Sequence, residues 1–200
     1  MKKKKSKQKQ KKKIKIRPDW KWIWTIFGMT IGISAAMAFF SGEILSASSV
    51  GVSFVVLLSI ILLGIIFDII GVAVTAASDK PFHSMASKKI PEAQTALRLL
   101  KRADRVSSIC NDVVGDICGV VSGSASAVIA VEAFTGVDHG TFQLIQLFMS
   151  ALVAALTVGG KAFGKSIAMN NSTEIIHVTA KIIYTIRSVP KRLTKLFRKV

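Results

Sequence analysis

Two long apolar runs dominate the first part of the chain. Residues 22–42 contain no Asp, Glu, Lys or Arg, and neither do residues 44–67. A helix needs roughly 20 residues to cross about 30 Å of hydrocarbon, so each run is long enough to span a membrane. Two more apolar stretches follow. The pattern predicts an all-α integral membrane protein with four transmembrane helices, at about 22–42, 50–76, 106–130 and 141–164. Asp112 and Asp116 interrupt the third. Asp138 and Lys161 bound the fourth, with Gly159-Gly160 near its end.

The stretches between the spans are polar and basic. Residues 1–17 are a Lys/Gln tract with nothing to bury, which predicts a disordered polybasic tail over 1–18. The first apolar run is of full span length, unlike the short apolar segment of a cleavable signal peptide. A transmembrane domain is expected over 19–168 and a basic juxtamembrane segment over 169–200. Within the connection at 79–105, Pro91-Glu92 reads as a helix start, with Ala93, Ala96, Leu97 and Leu100 as its apolar face. At 172–198, Ile175, Ile176, Thr179, Ile182, Ile183 and Ile186 recur at helical spacing among Lys and Arg. This predicts an amphipathic helix, kinked at Pro190, that lies on the membrane surface or packs on a partner's matching helix.

Charge fixes the expected orientation. The chain carries 28 Lys and Arg against 11 Asp and Glu, a formal charge of +17 in a sequence that is half hydrophobic. Twelve of the 28 lie in residues 1–21, seven in 79–105 and nine in 161–200; the loops at 43–49 and 135–140 have none. Four spans place all three basic segments on one side, the cytoplasmic side of a plasma membrane by the positive-inside rule. Trp20, Trp22 and Trp24 sit where the first span meets the basic tail, as an interfacial anchor. Beside a membrane, the first partners of the basic segments are anionic lipids rather than nucleic acid. This composition excludes a soluble enzyme, a disulfide-rich secreted domain and a histone-like tail protein.

The candidate chemistry lies inside the spans. Ionisable residues in a bilayer are costly and usually pair or line a pathway. Asp68 in the second span and Asn111, Asp112 and Asp116 in the third stand out. Asp68 lies twelve residues before Lys80 and Asp116 eleven after Arg105, so both fall roughly 16–18 Å from the basic side, near mid-bilayer. Asp112 and Asp116, four apart, share a helix face. Carboxylates with an amide oxygen are hard ligands suited to Mg²⁺. The alternative is that each Asp bonds a neighbouring helix or pairs with Lys161, which would act as an internal counter-ion. Gly115, Gly119 and Gly123 form a doubled G-x-x-x-G, a helix-packing signal within or between subunits.

Cys110 and Cys118 are eight apart on one helix, too far to bond each other, and read as small buried residues. His83, His139 and His177 are scattered over different segments. With no catalytic triad, phosphate loop or dinucleotide fingerprint, no enzyme is expected.

From the second span onward the order of features resembles the transmembrane domain of the cyclin-M/CorC magnesium transporters, the domain of unknown function 21 family. That family ends one span in an F-S-G-x-E-x-A-L-T-x-x-S-like stretch, where this chain has Phe67-Asp68-Ile69-Ile70-Gly71 through Ser78. An A-x-x-L run follows, matched at Ala93–Leu100. Its G-N-x-x-x-N motif aligns with Cys110-Asn111-Asp112-Val113-Val114-Gly115, and its G-E-x-x-P-K-x-x-A with Gly160-Lys161 through Ala168. The resemblance covers about residues 55–190. Phe39-Phe40-Ser41-Gly42-Glu43 looks more like the first motif but sits on the outer side, with no basic connection after it. The first span would be an addition to the family's three.

The resemblance implies Mg²⁺ as ligand, an ion site in the spans and a homodimer. The departures fall on that site. Asp68 replaces the family's Ser, Gly115 its second Asn, Lys161 its Glu and Gly164 its Pro, while Asn111 keeps the first Asn. The sequence reaches Val200 without the paired nucleotide-sensing domains that usually follow in the family. The leading expectation is a divergent Mg²⁺ or divalent-cation transporter-type domain. The competing ones are a non-transporting scaffold or regulator in which Lys161 neutralises the former ion site, and a holin-like pore former.

Overall fold

The structure, a computed structural model, describes residues 19–197. The polybasic tail expected over 1–18 lies outside the described residues, as do 198–200. The described residues form helices and no strand. They are α1 Trp20–Ser46, α2 Val50–Ala76, α3 Lys80–Ser87, α4 Ala93–Leu100 and α5 Ala103–Ser108, then a π-helical turn Ile109–Gly115, α6 Asp116–Ala133, α7 His139–Asn170 and α8 Ser172–Phe197. The stretches Trp20–Leu45, Val50–Ala76, Ala103–Ala133 and His139–Asn170 are long and apolar enough to cross a membrane, as expected for a multi-pass membrane protein.

The caps follow from local chemistry. Asp19 accepts a hydrogen bond from the Trp22 backbone N–H at 3.3 Å, and Asp138 from that of Thr141 at 3.0 Å; each satisfies a donor that the helix leaves open. Gly136, at φ +92°, supplies the left-handed residue that turns the chain from α6 toward α7.

The most apolar helix, α2, is the hub, packing on α6, α7, the π turn, α5 and α8. At one end, Leu45, Leu57 and Ile61 meet Ala125, Ile129 and Val153. In the middle, Ile60 of α2 packs with Val113, Ile117, Cys118 and Val121, and α1 adds Ile26, Met29, Ile33 and Met37. The base of α1 is tied down from across the bundle. The Arg105 guanidinium lies 5.0 Å from the centre of the Trp22 ring and 3.6 Å from the Asp19 carboxylate.

The basic end is more elaborate than the pattern suggested. Lys80–Ser87 forms a helix of its own, anchored by the fully buried Phe82. On α4, Ala93 and Ala96 are buried while Leu97 and Leu100 are half-buried, the predicted face. The long C-terminal helix α8 finds its packing partners within the chain. Ile176 and Ala180 join Ala73 and Val74 of α2, Phe82, Ala96 and Ala168 in one buried cluster, and Ile182 and Ile186 stay exposed. The helix runs on past Pro190.

Candidate intramembrane polar site

Gly64, Asp68 and Gly71 are spaced four and three apart, so they share one face of α2, and all three are buried. That face looks at the π turn and the start of α6. A Cβ at Gly64 would lie 2.8 Å from Cys118 Cβ and 3.7 Å from the Gly115 carbonyl oxygen. A Cβ at Gly71 would overlap the side-chain amide of Asn111. The two glycines let the backbones approach closely, and Asp68, 3% exposed, sits between these two contacts.

The π turn decides which polar groups of the third span face inward. An i→i+5 turn is wider than an α turn and shifts the residues after it around the axis, and such turns recur at functional sites. Here Cys110 and Val113 are buried and Asn111 is half-buried, while Asp112 is exposed. Asp116, the first residue of α6, has a side chain 71% exposed. The four candidate ligands therefore divide, with Asp68 and Asn111 inside and Asp112 and Asp116 outside. Among the described residues, no three His, Cys, Asp or Glu side chains gather where they would hold a metal ion.

The inner pair has unmet acceptors. Several hydroxyls elsewhere in the bundle bond back to their own helix. Ser122 donates to the Gly119 carbonyl at 3.0 Å, Ser126 to that of Gly123 at 2.7 Å and Thr157 to that of Val153 at 2.8 Å. In contrast, the buried Asp68 Oδ2 and Asn111 Oδ1 have no hydrogen-bond partner. The Asn111 amide nitrogen donates to Ser107 Oγ at 3.2 Å, which aims its oxygen at α2. A buried acceptor without a donor is costly, most of all on a carboxylate. Ser53 Oγ on α2 also lacks a hydrogen-bond partner but belongs to another region of the bundle, and His177 Nε2 on α8 lies 3.5 Å from Glu92 Oε1.

Lys161 of α7 reaches one of the outer carboxylates, Asp116. Its Nζ donates to the Gly115 carbonyl at 3.0 Å and lies 3.4 Å from Asp116 Oδ1, with the lysine side chain only 17% exposed. The ammonium thus closes on the last residue of the π turn and takes the carboxylate beside it.

The small-residue packing lies mostly off the predicted stripe. Of the doubled motif, Gly115 is tight, with a Cβ there 3.3 Å from both the Cys110 carbonyl oxygen and Lys161 Nζ. Gly119 would meet only Thr157 Cγ2 at 4.0 Å, and Gly123 nothing. The close helix contact is made by Gly160 and Gly164 of α7. A Cβ at Gly160 would overlap Ile65 of α2, and one at Gly164 would come 2.8 Å from Ile69. This is also a G-x-x-x-G spacing, so the signal was present on α7 as well as on α6.

No protein family, no curated protein and no solved structure matches the chain.

Proposed function

We propose that this chain is a divergent magnesium-transporter-type membrane domain, similar to the cyclin-M/CorC domain, that takes a divalent cation at Asp68 and Asn111. The observation that carries this reading is the pair of buried, unpartnered oxygens, Asp68 Oδ2 and Asn111 Oδ1, on facing elements. A cation bound between them would satisfy both. Mg²⁺ usually keeps several waters and takes only one or two carboxylates, so one carboxylate with one amide oxygen suits part of its shell. The segregation of every basic residue supports a plasma-membrane topology with both termini cytoplasmic. The outward carboxylates Asp112 and Asp116 support a homodimer, because a second copy over that face removes them from lipid.

A second reading rests on Lys161. Its bonds to Gly115 and Asp116 put a fixed ammonium beside the π turn, and a fixed cation repels a mobile one. On this reading the chain is a non-transporting scaffold or regulator that keeps the transporter architecture.

Magnesium-dependent thermal stabilisation of the purified chain separates the two, with Asp68→Asn and Lys161→Glu as variants and flux into proteoliposomes as a companion measurement. Saturable stabilisation of the wild type that disappears in Asp68→Asn, with flux, supports transport. No effect on the wild type, with binding gained in Lys161→Glu, supports the scaffold. No binding in either protein removes the cation site altogether.

A further inference from the structure

Beside α8 lies a second feature, independent of the ion reading. An apolar cavity of about 250 Å³ opens between α2, the start of the third span and α8, lined by Phe67, Ile70, Cys110, Ile176 and Ile182. Leu99, Val106 and Ile183 also line it, and the same three residues line a larger groove of about 670 Å³. That groove is basic, with Arg98, Lys101 and Arg102 on one side and Arg187 of α8 on the other, and no acidic residue lines it. Arg98 and Arg187 continue into a third hollow, where Tyr184 and Thr95 join them. Among the described residues, none of these four cations has a carboxylate within ion-pair distance.

The placement follows from the chain. Phe67 and Ile70 belong to the last turns of α2 before it leaves the apolar region at Ala76, and Arg98, Lys101 and Arg102 come just before the third span begins at Ala103. The apolar cavity is therefore at the depth of acyl chains and the cationic groove at the depth of headgroups. A cavity lined by aliphatic and aromatic side chains stays dry and takes an apolar guest. Guanidinium groups take phosphate oxygens in paired hydrogen bonds.

We infer that the cavity and groove together form a binding site for one anionic phospholipid, its phosphate between Arg98, Arg102 and Arg187 and an acyl chain in the cavity beside Cys110. A free phosphate fills only the groove, and a neutral lipid leaves the cations unmatched. The occupant therefore carries both a negative headgroup and a tail.

The test is native mass spectrometry of the full chain released from nanodiscs that contain equal parts phosphatidylglycerol and phosphatidylcholine. The expected result is retention of one phosphatidylglycerol per chain. At roughly fivefold per basic residue near the surface, Arg98→Gln/Arg102→Gln/Arg187→Gln should weaken it about 100-fold. Circular dichroism and the melting temperature of this surface variant establish that it is folded. A second variant, Thr179→Leu, at another residue lining the cavity, narrows it and should reduce retention of long-chain lipid more than of dioctanoyl phosphatidylglycerol. Equal retention of both lipids, retention unaffected by the triple substitution, displacement by inorganic phosphate alone, or a second copy of the chain covering the groove would each overturn the assignment.

Discussion

The side-chain oxygen of Asn111 rests against the backbone of Gly71, where no Cβ fits. This contact joins α2 to the π turn at the level of Asp68, so the spacing between the two polar oxygens depends on a missing methyl group.

Gly71→Ala should therefore push Asn111 off its Ser107 partner. Overpacking of this kind costs about 1–3 kcal/mol. In detergent the melting temperature should fall, and the double substitution Gly71→Ala/Asn111→Ala should recover much of the loss, because the two residues share one contact. Additive losses would mean that Gly71 is needed for another reason.

The glycines of α7 should matter more for the folded subunit than the outer glycines of α6. Gly164→Leu drives a side chain into Ile69 and Ile65 and should lower stability by about 3 kcal/mol or more. Gly123→Leu points into open space and should leave the monomer unaffected. If Gly123→Leu abolishes dimers on size-exclusion with light scattering while the melting temperature holds, that face belongs to a second copy.

The cap of α7 should carry a pH signature. The Thr141 side chain and backbone bonds to Asp138 hold its carboxyl below the usual carboxylate range. A depressed folded pKa means stabilisation that is present above the unfolded value, about pH 4, and lost as pH falls through the folded one. Asp138→Asn keeps a capping oxygen but removes the titration, so melting curves between about pH 2.5 and 5 should be flatter for the variant. Equal slopes would show that the cap does not titrate in that range.

Orientation is checked by single-cysteine labelling in a background without Cys110 and Cys118. Ser46→Cys and Val137→Cys should react with an impermeant reagent in intact cells, and Lys88→Cys only after lysis. Reaction at position 88 in intact cells would invert the topology or change the number of spans.

The spans were legible because hydrophobic length is a one-dimensional property. The second was expected over 50–76 and forms Val50–Ala76. The fourth was expected to stop near Gly164 but runs to Asn170. Lys161, read as its boundary, and Lys165 are tolerated within the helix, and Lys161 has an acceptor in the Gly115 carbonyl. The polar residues of the third span were found by their type, but not their directions. The four-residue spacing put Asp112 and Asp116 on one face, and both do lie outside, but the pattern could not say that this face turns away from Asp68, which depends on the π turn. The packing of α8 on α2 and α4 was equally hidden, since an amphipathic pattern states that a face is buried and not what buries it.

The grip of Arg105 on Trp22 and Asp19 has a consequence for how the protein is made. Helix α1 emerges from the ribosome before α2, yet it packs on the π turn and α6, which are synthesised only after α2 and three short helices have followed. Until then α1 has only lipid and α2 beside it, with Trp20 and Trp24 at its membrane boundary. Arrival of the third span brings Arg105 onto the ring and carboxylate at its base. Assembly in the bilayer thus departs from the order of translation, with α1 held in place by a helix inserted two spans later.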